Sequence, residues 1–346
     1  MKTAQASGAD VTSRLSGEFR PRRFLRNGHL QTIVGNYLLR RDALPQPEAE
    51  LVEVSAGTNG QISSQVLCHC HWQPRAVRAS RLTVIVVHGL EGSSNSQYVV
   101  GNANKLWARG CNVVRMNMRN CGGTEQLTPT LYHSGLSSDV RAVMEYFLAR
   151  EQLESVALVG YSMGGNLVLK LAGELGGSAP TELRAVVGVS PALDLAPSAD
   201  ALHRPQNRLY ELKFLHALLR RFRRKASLFP RAYDPNRATG IGSLREFDDR
   251  ITALYSGFAG ADDYYYRAAA ARVIDRIEVP TLILHSEDDP FIRLTSESRA
   301  KIIGTPSIQL LETTHGGHCA FLADPVDGYD GYWAEYTLID FLREHA

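Results

Sequence analysis

The sequence has few cysteines, and their arrangement does not suggest bonding. Cys68, Cys70, Cys111, Cys121 and Cys319 are odd in number and follow no framework-like spacing. This excludes a disulfide scaffold and favours reduced thiols in a cytoplasmic setting. No segment approaches the ~18 apolar residues that a membrane-spanning helix requires. The polar start Met1 to Glu18 lacks the apolar core of a signal peptide. Charge of one sign is also missing: 38 basic residues stand against 36 acidic ones, so no overall field recruits nucleic acid. Phosphate-binding loops, HExxH and dinucleotide fingerprints are absent, which removes P-loop ATPases, zincins and Rossmann dehydrogenases. What the chain does have is apolar content: 44% of its 346 residues are hydrophobic, enough to bury a large core in one domain or two.

The residues divide into an N-terminal arm over 1–50 and a main domain over 51–346. Met1 to Gly17, rich in Ser, Ala, Thr and Gly without periodicity, is expected to be a disordered lead-in. Asn27 to Ile33 carries apolar anchors and reads as an arm packed on the domain, with no direct role for His29. Leu51 to Ser55 and Ser64 to Trp72 alternate in character around Gly57, Asn59 and Gly60, which predicts a hairpin. Its second strand contains Cys68-His69-Cys70-His71. Period-two geometry puts the cysteines on one face and the histidines on the other, so no zinc site is expected.

From Leu82 the chain alternates between buried-strand and helix patterns, the signature of a doubly wound α/β sheet. Leu82 to Val87 is a β-branched run ending in His88-Gly89-Leu90-Glu91-Gly92, whose glycines allow backbone N–H groups to face a reacting oxygen. Ser155 to Tyr161 ends in Gly160-Tyr161-Ser162-Met163-Gly164, a G-x-S-x-G between strand and helix, which places Ser162 on the turn at the carboxyl end of the sheet. The rhythm breaks between about 197 and 270, a helix-like insertion that reads as a cap over that face. Within it, Leu212, Leu215, Leu219 and Phe222 stand at helical spacing and are expected to pack on the core. The overlapping basic run Arg220 to Lys225 is expected to be solvated, and also admits a weak membrane-surface contact.

A serine hydroxyl needs an imidazole to take its proton and a carboxylate to orient that imidazole. The loops after the last two strands supply both types, His285 to Phe291 with Asp288 and Asp289, and Thr314 to His318 with His315 and His318. Distance from the strand end favours Asp289 over Asp288, with Asp194 a weaker candidate. The glycine pair before His318 favours it over His315. Cys319 is expected to point elsewhere in an extended loop.

These residues, with Asn27 to Thr32, Arg119 to Gly123, Tyr132 to Gly135, Asp139 and Phe247-Asp248-Asp249, resemble the α/β-hydrolase superfamily, in its YheT-like and ABHD-type esterase branch. The resemblance implies an eight-stranded, mostly parallel sheet with a helical cap. It also implies Ser162 as nucleophile, Asp289 as acid, His318 as base, and the backbone N–H groups of Leu90 and Met163 as the oxyanion hole. Asn120 departs from the pattern, because the related loop has glycine there, and its backbone conformation is thereby in question.

The expected activity is hydrolysis of carboxylic esters through an acyl-enzyme, on a short- to medium-chain acyl ester or a lipid, with no cofactor and no metal. Asp in place of Ser162 would have indicated a dehalogenase. A membrane-surface phospholipase or acyltransferase is the alternative reading, and a non-catalytic binding module of the same fold is a further one.

Overall fold

The computed structural model describes residues 18–57 and 62–346. The expected disordered lead-in and the tip of the first hairpin lie outside the described residues. The strands are β1 (Glu48–Ser55), β2 (Ser64–His71), β3 (Thr83–Val87), β4 (Asn112–Met116), β5 (Val156–Tyr161), β6 (Leu183–Val189), β7 (Thr281–Ser286) and β8 (Ile308–Thr313). They form one sheet in the order β1-β2-β4-β3-β5-β6-β7-β8. β3 to β8 run parallel, while β2 is antiparallel to both β1 and β4. This is the expected eight-stranded, mostly parallel arrangement.

Every residue of β3 and β5 is buried, because helices cover both faces. Ile85, Val87 and Leu158 enter one core, and Val84, Val86 and Val159 the other. Each such buried aliphatic side chain contributes roughly 1.5–3 kcal/mol. That two-sided burial explains the unbroken apolar runs. The first helix, α1 (Gly28–Tyr37), precedes the sheet; α2 (Gln97–Ala108), α3 (Ser137–Glu151) and α4 (Met163–Leu175) connect its strands. Between β6 and β7 lie α5 (Leu195–Leu202), α6 (Arg208–Leu228) and α7 (Ala261–Ala268), with a π-helical turn over Asp248–Ala253. The chain closes with α8 (Ser296–Ile303) and α9 (Trp333–His345).

Asn27 caps α1 by accepting from the N–H groups of His29 and Leu30. The inner face of α1 is pinned through Gln31, which accepts from Leu322 N–H at 2.8 Å and donates to Leu322 O at 3.0 Å. On β2, Cys68 and Cys70 pack into the core. His69 instead meets Ser94 Oγ at 2.8 Å, and His71 accepts from Arg115 Nε at 3.1 Å. The four side chains therefore serve opposite faces. Asn120 has φ 64°, the left-handed region that glycine would occupy and that asparagine tolerates better than other side chains. Lys225 Nζ donates to its Oδ1 at 2.6 Å, and its Nδ2 donates to Thr130 O at 3.0 Å, so the departure from glycine is held by two hydrogen bonds.

Two expectations for α6 need correction. Its buried stripe is Leu215, Leu218, Phe222 and Lys225, while Leu212 is exposed. The basic run is also not uniformly solvated. Spacings of 3, 4 and 3 along the helix carry Lys225 inward with the leucines, and Arg221 turns toward Glu91.

Candidate active site

Ser162 sits between β5 and α4 with φ 54° and ψ −117°, a conformation rare for a residue with a side chain. Its N–H donates to Val189 O at 2.9 Å, and its carbonyl accepts from Asn166 N and Ala192 N. A methyl group at Gly160 would collide with the backbone of Gly164, and one at Gly164 with the carbonyls of Val87 and His88. Both glycines are thus required by crowding, and the turn presents Ser162 to the cavity beyond the strand ends.

The loop after β7 carries Asp289, whose Oδ2 lies 2.8 Å from His318 Nδ1. Its other oxygen accepts from the N–H groups of Phe291 and Ile292 at 3.1 and 2.9 Å. Burial works to raise the Asp289 pKa, but the His318 imidazole and the Ile292 N–H hold it below the ordinary carboxylate value. Asp288 instead accepts from Ser286 Oγ and Gly317 N–H, both at 2.8 Å, and stands 3.4 Å from His315 Nδ1. Asp194 accepts from Thr295 and Ser298 at the start of α8. The three carboxylates therefore have distinct partners, and Asp289 is the one on His318.

Cys319 departs from its expected place. Its φ of 62° folds the loop back rather than leaving it extended, and its Sγ lies 3.5 Å from His318 Nε2. No hydrogen bond joins Ser162 Oγ to His318 among the described residues; such bonds in unliganded sites commonly close when substrate binds. Burial disfavours the imidazolium of His318, but the Cys319 thiol and the Asp289 carboxylate outweigh it and raise its pKa above the ordinary value.

Of the three N–H groups at Gly89, Leu90 and Glu91, two are occupied. Gly89 donates to Tyr98 Oη at 2.9 Å and Glu91 to Tyr132 Oη at 3.3 Å. Leu90 N–H has no such partner among the described residues. Met163 is the first residue of α4, and helix geometry leaves its N–H without an intrahelical acceptor. Leu90, Met163 and Ser162 border one cavity of about 140 Å³. Its far wall belongs to the segment between β6 and β7, chiefly Leu202, Phe214, Leu218 and Phe247. Polar groups interrupt that wall. Burial pushes Asp248 up to about 6, against hydrogen bonds from Thr252 and Tyr265. On the lining contributed from between β4 and β5, burial pushes His133 down to about 4, aided by Arg119.

Several residues have supporting roles that the sequence reading did not assign. Thr32 on α1 accepts from His318 N–H at 2.8 Å. Ser190, after β6, accepts from Cys319 N–H at 3.1 Å. Gly28 and Gly317 approach so closely that a methyl group on Gly28 would strike Asp288 O, and one on Gly317 would strike Gly28 O. The arm is therefore part of the scaffold for the histidine loop, and Asn27-Gly28 was its visible signal. Arg221 on α6 holds Glu91 through two bonds of 2.8 and 3.0 Å, and Tyr132 Oη donates to the same carboxylate at 2.5 Å. Arg119 and the buried Asp139 form a second bidentate pair at 2.6 Å, which fastens the loop carrying Asn120.

Comparison with known proteins places this fold in one class. A family model described as alpha/beta hydrolase fold matches residues 83–325, and the chain belongs to that family, in its esterase and lipase type. Within it, the chain is 31% identical over 333 residues to YheT of Escherichia coli (strain K12), a candidate esterase, covering 95% of this chain and 94% of that protein. It is 29% identical over 297 residues to phospholipase ABHD3 of Bos taurus, covering 84% of this chain and 70% of the relative. The chain thus falls in the YheT-like and ABHD branch. Among solved structures, 2,6-dihydroxy-pseudo-oxynicotine hydrolase superposes with a TM-score of 0.57 at 16% identity, over 92% of this chain and 71% of that one. At that identity the likeness is one of fold. Among the described residues, no helix is long and apolar enough to cross a membrane.

Proposed function

We propose that this protein hydrolyses carboxylic esters through an acyl-enzyme on Ser162, with His318 as base, Asp289 orienting it, and the N–H groups of Leu90 and Met163 holding the oxyanion. The observation that carries this reading is the 2.8 Å Asp289–His318 pair on the loops that close the sheet edge where Ser162 stands. In this mechanism His318 takes the Ser162 proton as the oxygen attacks the ester carbonyl, and the two N–H groups stabilise the developing negative charge. The alcohol leaves with the proton from His318. Water then enters, gives its proton to His318, and releases the acid as Ser162 is restored.

The cavity supports a short- to medium-chain acyl ester. Its lining is mostly aliphatic and aromatic, and its volume of about 140 Å³ is close to the ~150 Å³ of an apolar cavity that admits benzene. A longer lipid chain requires displacement of the segment between β6 and β7, which acts as a cap in this reading. The same acyl-enzyme can also pass its acyl group to an alcohol acceptor, which makes acyl transfer the second reading. Five free thiols support a reducing, cytoplasmic setting.

The test is fluorophosphonate labelling, with a chain-length series of nitrophenyl esters on wild type and Ser162→Ala. Labelling lost in Ser162→Ala and activity falling beyond medium chains are expected. Equal labelling of both proteins would overturn the assignment, as would activity retained by the variant. In that case a binding role for the same fold takes its place.

A further inference from the structure

Of the fifteen described residues with large, exposed apolar side chains, seven lie on or just beyond α1 and at the start of α6, two adjoining helices. α1 presents Leu30, Ile33 and Tyr37 to solvent, with Phe24 and Leu39 beyond its ends. Positions i, i+3 and i+7 form one outward stripe. At the start of α6, Leu209 is 82% exposed and Leu212 44%. The helices are joined side by side: His29 stacks on Tyr210 at 5.8 Å, and Lys213 Nζ lies 5.2 Å from the centre of the Tyr37 ring. The two apolar stripes therefore adjoin.

Charge is concentrated on the same segments. Residues 18–41 hold six arginines against Glu18, and residues 203–228 hold eight basic residues against Glu211. Arg40, Arg221, Lys225 and Glu211 turn inward. The outward remainder is almost purely basic, in a chain whose total charge is only +2. On α6 the exposed positions Leu209, Leu212, Lys213, His216 and Arg220 follow one helical stripe, passing from apolar to basic. The opposite sides of these helices serve the site. Thr32 of α1 bonds His318 N–H, while Phe214 and Leu218 of α6 line the cavity.

We propose that this face docks the protein on an anionic lipid surface. Leu30, Ile33, Tyr37, Leu209 and Leu212 enter the boundary between headgroups and acyl chains. The arginines flanking Phe24, with Lys213 and Arg220, reach anionic headgroups. Long basic side chains around an apolar stripe suit such a boundary, because their stems lie along apolar surface while their charges stay at headgroup level. Docking itself does not depend on Ser162. What it adds, access to acyl substrates held in the leaflet, rests on the ester-hydrolase reading.

The experiment is co-sedimentation of full-length Ser162→Ala protein with phosphatidylcholine vesicles, with and without phosphatidylserine, at low and high salt. Using the Ser162→Ala chain keeps binding separate from catalysis, so that either reading can fail alone. Binding is expected to require phosphatidylserine and to weaken with salt. Adding Ile33→Ser with Leu212→Ser should reduce partitioning at least tenfold, since each buried aliphatic side chain contributes roughly that factor. Arg23→Glu with Arg26→Glu should do so as well. All variants are melted to verify folding. No binding to either vesicle would overturn the proposal, as would binding that both double variants retain. A wild-type dimer that Ile33→Ser with Leu212→Ser converts to monomer would assign the face to a second copy and overturn the proposal too.

Discussion

Replacing Arg221 with methionine tests whether α6 holds the Leu90 loop in place. Methionine keeps much of the volume and removes the guanidinium, leaving the Glu91 carboxylate with Tyr132 Oη as its remaining side-chain donor. The Arg221 and Glu91 side chains are 16% and 10% exposed. Stranding one member of a buried pair costs about 3–5 kcal/mol, and this residual exposure points to the lower end. A chain of 346 residues unfolds with an entropy of about 0.7 kcal/mol per kelvin, so a loss of about 3 kcal/mol lowers the Tm by roughly 4 °C. The kinetic effect follows from Glu91 having φ 56°. Released from Arg221, that residue relaxes toward ordinary backbone angles and takes its neighbour Leu90 with it. Removing an oxyanion donor costs about 10²–10³ in kcat, and displacing one costs part of that, roughly tenfold. Calorimetry and steady-state hydrolysis of a short nitrophenyl ester measure both effects. Glu91→Gln in the Arg221→Met background should restore part of the lost stability, because the stranded charge is then gone. A folded Arg221→Met protein with unchanged Tm and kcat would refute the reasoning.

Thr32→Val removes the acceptor for His318 N–H; an unsatisfied buried donor costs about 1–3 kcal/mol, and kcat should fall more than KM changes in the same ester assay. Cys319→Ala should move the pH dependence of kcat/KM to lower pH. The thiol beside Nε2 helps raise the His318 pKa, and His318 must be neutral to act as base, so removing the thiol lets it lose its proton earlier. An unmoved profile would show that the thiol does not set this pKa. Acid should destabilise the fold from about pH 6.5 downward, checked by Tm against pH. Burial depresses His71, His88 and His133 to about 4. In each, one ring nitrogen accepts a hydrogen bond, from Arg115, Met118 N and Gly135 N respectively. The unfolded chain therefore takes up protons first; the stability these histidines give is complete above 6.5 and is lost as pH falls toward 4. His88→Gln, which can keep both a donor and an acceptor, should flatten part of that slope.

The central strands of the sheet were legible because burial on both faces leaves unbroken apolar runs at Leu82–Val87 and Ser155–Tyr161. Crowding at the turn around Ser162 was legible because it can be met only by glycine at 160 and 164. Cys319 was not legible, since its position depends on a left-handed φ that nothing in a cysteine side chain announces. Thr32 was hidden for a different reason. It acts across 286 residues of sequence, and a hydroxyl that accepts from a distant backbone N–H leaves no local pattern.

α6 shows why the segment above the cavity reads least clearly from sequence. A helix is usually interpreted as one apolar face and one polar face, but this one meets three environments. Leu215 and Phe222 pack in the core, Arg221 and Lys225 reach buried oxygens of the loops bearing Glu91 and Asn120, and Leu209 and Leu212 lie in solvent. An inward lysine and an outward leucine both break the two-face pattern, so the basic run looked like a solvated surface and Leu212 like core. These reversals are where the helix departs from simple packing: the inward charges fasten the loop beside Ser162, and the outward leucines enlarge the apolar face shared with α1. On this argument, exchanging Leu212 for a polar residue should lower the Tm only slightly, because 44% of its surface is already in water. Exchanging Lys225 for methionine should alter it measurably, because Asn120 Oδ1 and Glu125 O would both lose their donor.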